Sequence, residues 1–249
     1  MWGDNLLIST HSRNTITLHI LSYNNVQLYL SDMYSQRYKY PRTPHLSFSP
    51  GVSADDLKLD RHKLFENCQV VVTEKLDGEN TTLYNDYIHA RSIDSRHHPS
   101  RALVKALQAS IGNDIPQGWR ICGENLYARH SIAYNDLKSY FYLFAIWNED
   151  NYCLSWADTQ EWAEILGLDI PQVMYEGVWN EEKIKAIADN LDEDICEGFV
   201  VRKANGFYYD DFALNMAKWV RPHHVQTDEH WMYKEVVPNR LAILTILDI

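Results

Sequence analysis

The segment Thr73-Glu74-Lys75-Leu76-Asp77-Gly78-Glu79-Asn80 gathers the densest set of reactive side chains in this sequence. It ends a β-branched run that begins at Gln69, so Lys75 is expected where a strand stops. A lysine there is a nucleophile once it is neutral, which takes desolvation or nearby positive charge. Asp77, two residues on, is a hard oxygen ligand of the kind that holds a divalent cation against phosphates. Gly78 permits a tight turn and close approach of backbone to a ligand. The same residues also suit a plain charged β-turn, Asp-Gly being a common hairpin signal. Taken alone they leave both readings open.

Further chemistry-bearing residues recur on strand-like runs. Ala90-Arg91-Ser92 closes one, and Ile121-Cys-Gly-Glu-Asn125 carries Glu124 on another. Tyr140-Phe-Tyr-Leu-Phe-Ala-Ile-Trp147 is an aromatic run containing Phe144. Glu197-Gly-Phe-Val-Val-Arg-Lys203 and Met216-Ala-Lys-Trp-Val220 carry Glu197, Arg202, Lys203 and Lys218. Each has a bland alternative: Phe144 as core, Glu197-Gly198 as a turn, Lys218 as a strand-edge charge.

The elements that must position these residues follow from periodicity and punctuation. Thr15 to Leu21 and Val26 to Leu30 alternate like strands, and Pro41, Pro44 and Pro50 mark a loop no helix can cross. A short helix is expected from Ala54 to Phe65. Thr81–Tyr84 and Tyr87–Arg91 read as a hairpin around Asn85-Asp86. Pro99-Ser100 opens a helix to Gly112, with Ala102, Leu103, Ala106 and Leu107 as its apolar face. Ser155 caps a helix to Leu166 that buries Trp156, Trp162, Ile165 and Leu166, and Asn180 caps another to Asn190. Trp119–Glu124, Tyr140–Trp147, Gly198–Lys203 and Phe212–Val220 read as strands, and a helix from His230 is broken by Pro238. Strands outnumber helices without regular alternation, so the class is α+β.

Composition narrows the setting. The 249 residues are 45% hydrophobic and 23% charged, which excludes a disordered or fibrous chain. No apolar run reaches the ~20 residues a membrane span needs, and the N-terminus lacks a basic stretch before an apolar one, so a cytoplasmic location is expected. The cysteines, at 68, 122, 153 and 196, form no CxxC pair; four reduced thiols are expected rather than a zinc site. His223, His224 and His230 have no metal-site spacing. The formal charge of -11 argues against a protein that coats a long polyanion. A nucleic-acid role must rest on a local patch, and residues 87–105 offer one, with Arg91, Arg96, Arg101 and Lys105 against one inner acid, Asp94. The stretch from 202 to 221 is a second.

The Lys75-x-Asp77-Gly78-x-Asn80 pattern resembles motif I of the covalent nucleotidyltransferases, the polynucleotide ligases and mRNA capping enzymes. Ala90-Arg91-Ser92, Ile121–Asn125, Tyr140–Trp147, Glu197–Lys203 and Met216–Val220 then resemble that superfamily's later motifs, in order. The Asn at position 80, with Tyr40-Pro-Arg-Thr-Pro44, Gly123-Glu-Asn-Leu-Tyr-Ala-Arg-His130 and His224-Val-Gln-Thr-Asp-Glu-His-Trp231, is most similar to a bacterial and phage RNA ligase branch, over roughly residues 38 to 232. One departure stands out: motif V commonly has two lysines separated by one residue, and here the first is Met216.

The resemblance implies a fold of antiparallel sheets flanked by helices, with a nucleotide groove between them. It implies ATP as AMP donor, Mg2+ or Mn2+, and RNA 5′-phosphate and 3′-hydroxyl ends as partners. Lys75 would form a lysyl-AMP phosphoramidate, AMP would pass to the 5′-phosphate, and the 3′-hydroxyl would then displace it. Asp77 and Glu197 would hold metal, and Lys218 the α-phosphate. Glu74 would lie in the ATP site, Glu124 would bind ribose, Phe144 would stack on the purine, and Asn80 would contact the reacting end. Arg91 or Arg96 would hold phosphates or the accepting strand, with Arg101 on the RNA surface. Arg202, Lys203 or Arg221 would supply the charge missing at Met216. One domain over 1–249 is expected: an arm at 1–50, a catalytic core at 51–221 and a tail at 222–249. The 29 residues after Val220 are too few for an OB-fold, which disfavours the alternatives of a DNA ligase or a capping-type enzyme. A non-catalytic end-binding module would keep the groove but form no covalent adduct. Oligomeric state has no signature in the sequence.

Overall fold

The structure, a computed structural model, describes residues 5–12, 15–22, 36–51, 62–95, 97–222 and 235–242. The chain divides into two units, residues 1–38 and 39–249. In the first, β1 (Asn5–Ser12) and β2 (Thr15–Ser22) form an antiparallel hairpin, Asn5 opposite Ser22 and Ser12 opposite Thr15. The stretch Val26–Leu30, Arg96 and the three histidines at 223, 224 and 230 lie outside the described residues, as does most of the helix expected at 54–65.

The second unit runs through β3 (Gln69–Glu74), β4 (Glu79–Leu83), β5 (Ile88–Ala90), α1 (Ala102–Ile111), β6 (Arg120–Asn125), β7 (Phe141–Trp147) and β8 (Tyr152–Cys153). It continues through α2 (Trp156–Leu166), β9 (Val173–Val178), α3 (Glu181–Asp189), β10 (Gly198–Lys203), β11 (Phe207–Tyr208), α4 (Phe212–Asn215) and β12 (Met216–Val220). Two antiparallel sheets result. The smaller is ordered β12-β10-β3-β9 and the larger β11-β8-β7-β6-β4-β5. This is the expected α+β arrangement, and the connection from β3 to β4, residues 75–78, crosses from one sheet to the other.

Alternation explains how each sheet keeps one apolar face. On the small sheet, Val70, Val72, Phe199, Val201, Ala217 and Trp219 pack with Ile184 of α3. Burying a side chain such as Val70 contributes about 1.5–3 kcal/mol. On the large sheet, Leu83, Ile121, Phe141 and Leu143 pack against Val104 and Ile111 of α1 and Ala163 and Leu166 of α2. Between the sheets, Cys122, Ala145 and Trp147 meet Tyr40, Phe212 and Met216, leaving a groove. All four cysteines are free, and Cys122, Cys153 and Cys196 are buried. No helix among the described residues is long and apolar enough to cross a membrane.

Several local expectations change. The buried side of α1 is Val104, Leu107 and Ile111, while Leu103 is 44% exposed; the i, i+3, i+7 stripe wins over the alanine face. Ser155 does cap α2, accepting from the Asp158 amide, yet Ile165 points outward. Residues 212–215 form a helical turn before β12 rather than one long strand. Residues 39–51, grouped with the arm in sequence, belong to the larger unit. They run beside β12: the amide of Lys218 donates to the Pro44 carbonyl (2.9 Å), and the amide of Leu46 donates to the Lys218 carbonyl (2.8 Å).

Candidate active site

A cavity of about 1160 Å³ opens between the two sheets. The small sheet lines it with Glu74 of β3, Val200 and Arg202 of β10, and Met216 and Lys218 of β12; the large sheet lines it with Glu79 and Asn80 of β4, Glu124 of β6 and Phe144 of β7. Lys75 stands at the end of β3, on the connection between the sheets. Its amide donates to the Gly198 carbonyl at 2.8 Å, and its ammonium is ion-paired and hydrogen-bonded to the Glu197 carboxylate. Gly198 makes this approach possible. Its φ is +153°, and a Cβ there would lie 2.1 Å from the Trp219 carbonyl oxygen. Any side chain would force β10 away from β12 and carry Glu197 with it.

The charges around Nζ are strongly coupled. Burial pulls the Lys75 ammonium down, but attraction to Glu197 and Glu124 outweighs it and leaves the group above its ordinary range. Lys75 is therefore protonated in this state. Glu124 moves the other way for a carboxylate. Burial pushes it up to about 8, with Glu197 and Asp77 adding to the rise and Lys75 and the Gly78 amide opposing it. That amide donates to Glu124 Oε1 at 3.1 Å. Gly78 is needed here for space, since a Cβ would sit 2.6 Å from the Asn125 carbonyl oxygen. Glu74 is also raised by burial.

Asp77 does not face the cavity. Its Oδ2 accepts from the Ser131 amide (2.8 Å), the Ser131 hydroxyl (2.6 Å) and the Ile132 amide (2.8 Å). Its own amide donates to Tyr134 Oη at 2.9 Å. Asp77, one of the two residues expected to hold metal, thus anchors the 130s loop through Oδ2, while its Oδ1 lies 3.9 Å from His130 Nδ1.

Three of the four arginines expected to bind RNA, Arg101, Arg202 and Arg221, are corrected as well. Arg101 is 3% exposed and forms a two-point pair with Glu79, Nε to Oε1 at 2.6 Å and Nη2 to Oε2. Arg202 is 2% exposed. It donates to the Leu154 carbonyl at 2.7 Å and to the Phe144 carbonyl at 3.4 Å, and lies 5.5 Å from the Trp156 ring centre. It fastens β10 to the large sheet at the floor of the groove. Arg221 is buried outside the cavity, its amide donating to the Glu197 carbonyl at 3.0 Å. Lys203 shares the strand face of Phe199 and Val201, away from the groove, because successive residues of a strand alternate. A smaller depression beside the groove shares Ser95, His97 and Arg101 with it and adds Tyr87 and Lys105.

The structure also brings in residues that sequence reasoning did not assign. Lys39, Tyr40, Arg42, His97, His98 and Trp156 line the cavity. Tyr40 is buried and meets Phe144 edge to face, ring centres 5.3 Å apart. For Lys39 and Arg42 the signal was a pair of cations flanking Pro41, at the start of the proline-punctuated loop. Only the non-local pairing of that loop with β12 carries them to the groove.

Among the described residues no three His, Cys, Asp or Glu side chains converge as a metal centre. A Mg2+-type cation needs less, because it keeps waters and takes one or two carboxylates together with substrate phosphates. The Glu197 carboxylate beside the Lys75 ammonium is the group placed to share such a cation with substrate phosphates.

The sequence model of the RNA ligase family matches residues 69–220, from the first residue of β3 to the last of β12. The chain belongs to that family. An archaeal ATP-dependent RNA ligase is similar in fold, with a TM-score of 0.50 and 14% identity over 74% of this chain and 48% of that one. A Naegleria gruberi RNA ligase solved with PPi has a TM-score of 0.48 and 18% identity over 86% of this chain and 74% of that one. The two-sheet architecture is that of the ligase nucleotidyltransferases. No match was found among curated proteins.

Proposed function

We propose that this RNA ligase family member is ATP-dependent and joins 3′-hydroxyl and 5′-phosphate RNA ends through lysyl-AMP and 5′-adenylated RNA. The observation that carries the reading is Lys75: it closes β3 on the wall of an inter-sheet groove, with its ammonium held by Glu197. The adenine would lie among Phe144, Tyr40 and Trp156, and the ribose would bind Glu124. Lys218 meets the α-phosphate, supported by Lys39 and Arg42, which stand in for the lysine that Met216 replaces.

Before Nζ attacks the α-phosphorus it must lose a proton, and Glu197, already hydrogen-bonded to it, is placed to take it. The attack expels pyrophosphate and leaves AMP on Nζ. Glu197 would also hold a divalent cation together with substrate phosphates; when bound, that ion draws charge from the phosphoryl oxygens. The 5′-phosphate of RNA then takes AMP from Nζ, and the 3′-hydroxyl displaces it. Asn80 and Arg91 on the same wall would position the ends. A cytoplasmic setting fits the four free thiols.

The mechanism separates by step. Wild type with ATP and Mg2+ should join 5′-phosphorylated RNA. Lys75→Ala should fail on that substrate yet still seal an RNA supplied already adenylated at its 5′ end. Joining of phosphorylated ends by Lys75→Ala at the wild-type rate would sink the reading.

A further inference from the structure

We propose that Asn239, beyond the region the family model matches, is a positioning residue for the loop that carries Lys75; the proposal rests on the nucleophile assigned above. The turn from Lys75 to Gly78 crosses between sheets and has no strand partner on its far side. It is held from β6 and from the segment that follows it. Ser131 and Ile132 grip the Asp77 carboxylate, Tyr134 Oη accepts from the Asp77 amide, and Glu124 accepts from the Gly78 amide.

That segment, residues 126–140, has no regular secondary structure and must satisfy its backbone groups elsewhere. Asn239 does much of this while only 3% exposed. Its Nδ2 donates to the Leu126 carbonyl at 2.8 Å, and its Oδ1 accepts from the Tyr134 amide at 3.0 Å. Its amide donates to the Tyr127 carbonyl at 2.9 Å, and its carbonyl accepts from Tyr140 Oη at 3.1 Å. Neighbouring backbone bonds extend the contact, from the amide of Arg129 to the Val237 carbonyl and from the amide of Arg240 to the Tyr134 carbonyl. Tyr134 is the link: its amide is fixed by Asn239, and its hydroxyl fixes Asp77, two residues from the nucleophile. Leu76, Leu126, Leu137 and Tyr142 pack around it in one apolar cluster.

A clasp of this kind sets the aim of Nζ rather than the grip on ATP, whose base would lie against Tyr40, Phe144 and Trp156. The test is single-turnover transfer of label from α-labelled ATP to protein, with folded fraction measured alongside. Asn239→Ala should slow transfer at saturating ATP by roughly 10- to 100-fold, because a misplacement of ~1 Å costs about that much, with an unchanged KM for ATP. Tyr134→Phe, which removes only the hydroxyl, should slow it in the same sense. Arg240→Ala, on an exposed side chain, should not. A wild-type rate per folded molecule in Asn239→Ala or in Tyr134→Phe overturns the proposal, as does a raised KM with an unchanged rate. If Asn239→Ala fails to fold, Tyr134→Phe decides. If wild type itself takes no label, the function assigned to Lys75 fails. The clasp is then judged by amide hydrogen exchange at Asp77 and Gly78, which Tyr134→Phe should accelerate; unchanged exchange overturns it.

Discussion

The two walls of the groove are built alike and equipped differently. Each sheet packs one face on helices and turns alternate residues of the other toward the cavity. The small sheet and the segment beside it bring cations: Lys75, Lys218, Arg202, Lys39 and Arg42. The large sheet brings Glu79, Asn80, Glu124 and Phe144; of the cations beside it, Arg101 is paired with Glu79 and Arg91 follows β5 at the edge of the groove. In the proposed reaction the small-sheet wall handles phosphate and the large-sheet wall handles sugar and base. Chemistry then depends on the spacing of the walls, which Arg202 fixes at the floor and the turn from Lys75 to Gly78 fixes at the rim.

The contrast can be broken first at Arg101. Arg101→Ala leaves Glu79 buried and uncompensated, so it should destabilise the fold by about 3–5 kcal/mol, measured by urea unfolding. Intact stability with weakened RNA binding would return Arg101 to the RNA surface. On the opposite wall, Lys218→Ala should leave the fold intact and slow AMP transfer by about 10²- to 10³-fold, the usual cost of losing one charge-stabilising donor. A change in ATP affinity alone would remove it from the transition state. Phe144→Ala should weaken ATP binding by about 1–3 kcal/mol, the range for stacking on a base, with a much smaller effect on the rate at saturation.

A separate effect, on stability rather than rate, concerns pH. Glu124 is raised to about 8 in the folded chain, so the folded state keeps a proton that the unfolded chain releases at lower pH. Stability from this group is full in acid and is lost as pH climbs through about 8. Thermal unfolding of Glu124→Gln should therefore vary less between pH 5 and 8 than that of wild type. Parallel curves for the two proteins would refute the coupling around Nζ.

How far the sequence reached follows the same divide. Strands with a clear pattern were readable: Gln69–Glu74, the 81–91 hairpin, and the runs carrying Glu124, Phe144, Glu197 and Lys218. So was the convergence of Lys75, Glu124, Phe144 and Lys218, which ordered motifs imply. Charge counting failed where burial decides. Arg101, Arg202 and Arg221 read as surface because a sequence does not show that Glu79, the Leu154 carbonyl or the protein interior awaits them. Strand β9 was missed because Val173-Met-Tyr-Glu-Gly-Val178 is a half-exposed edge strand interrupted by glycine. The anchoring of Asp77 to the 130s loop was not legible because its partners lie some 55 residues away.

The central claim is that Lys75 Nζ takes AMP from ATP. Incubation with ATP and Mg2+ in the absence of RNA, followed by mass spectrometry of the intact chain and its peptides, reads it directly. The account predicts one AMP per chain, located on Lys75, removed by added pyrophosphate and absent from Lys75→Ala. AMP on another residue, or RNA joining with no adduct at any stage, would contradict it.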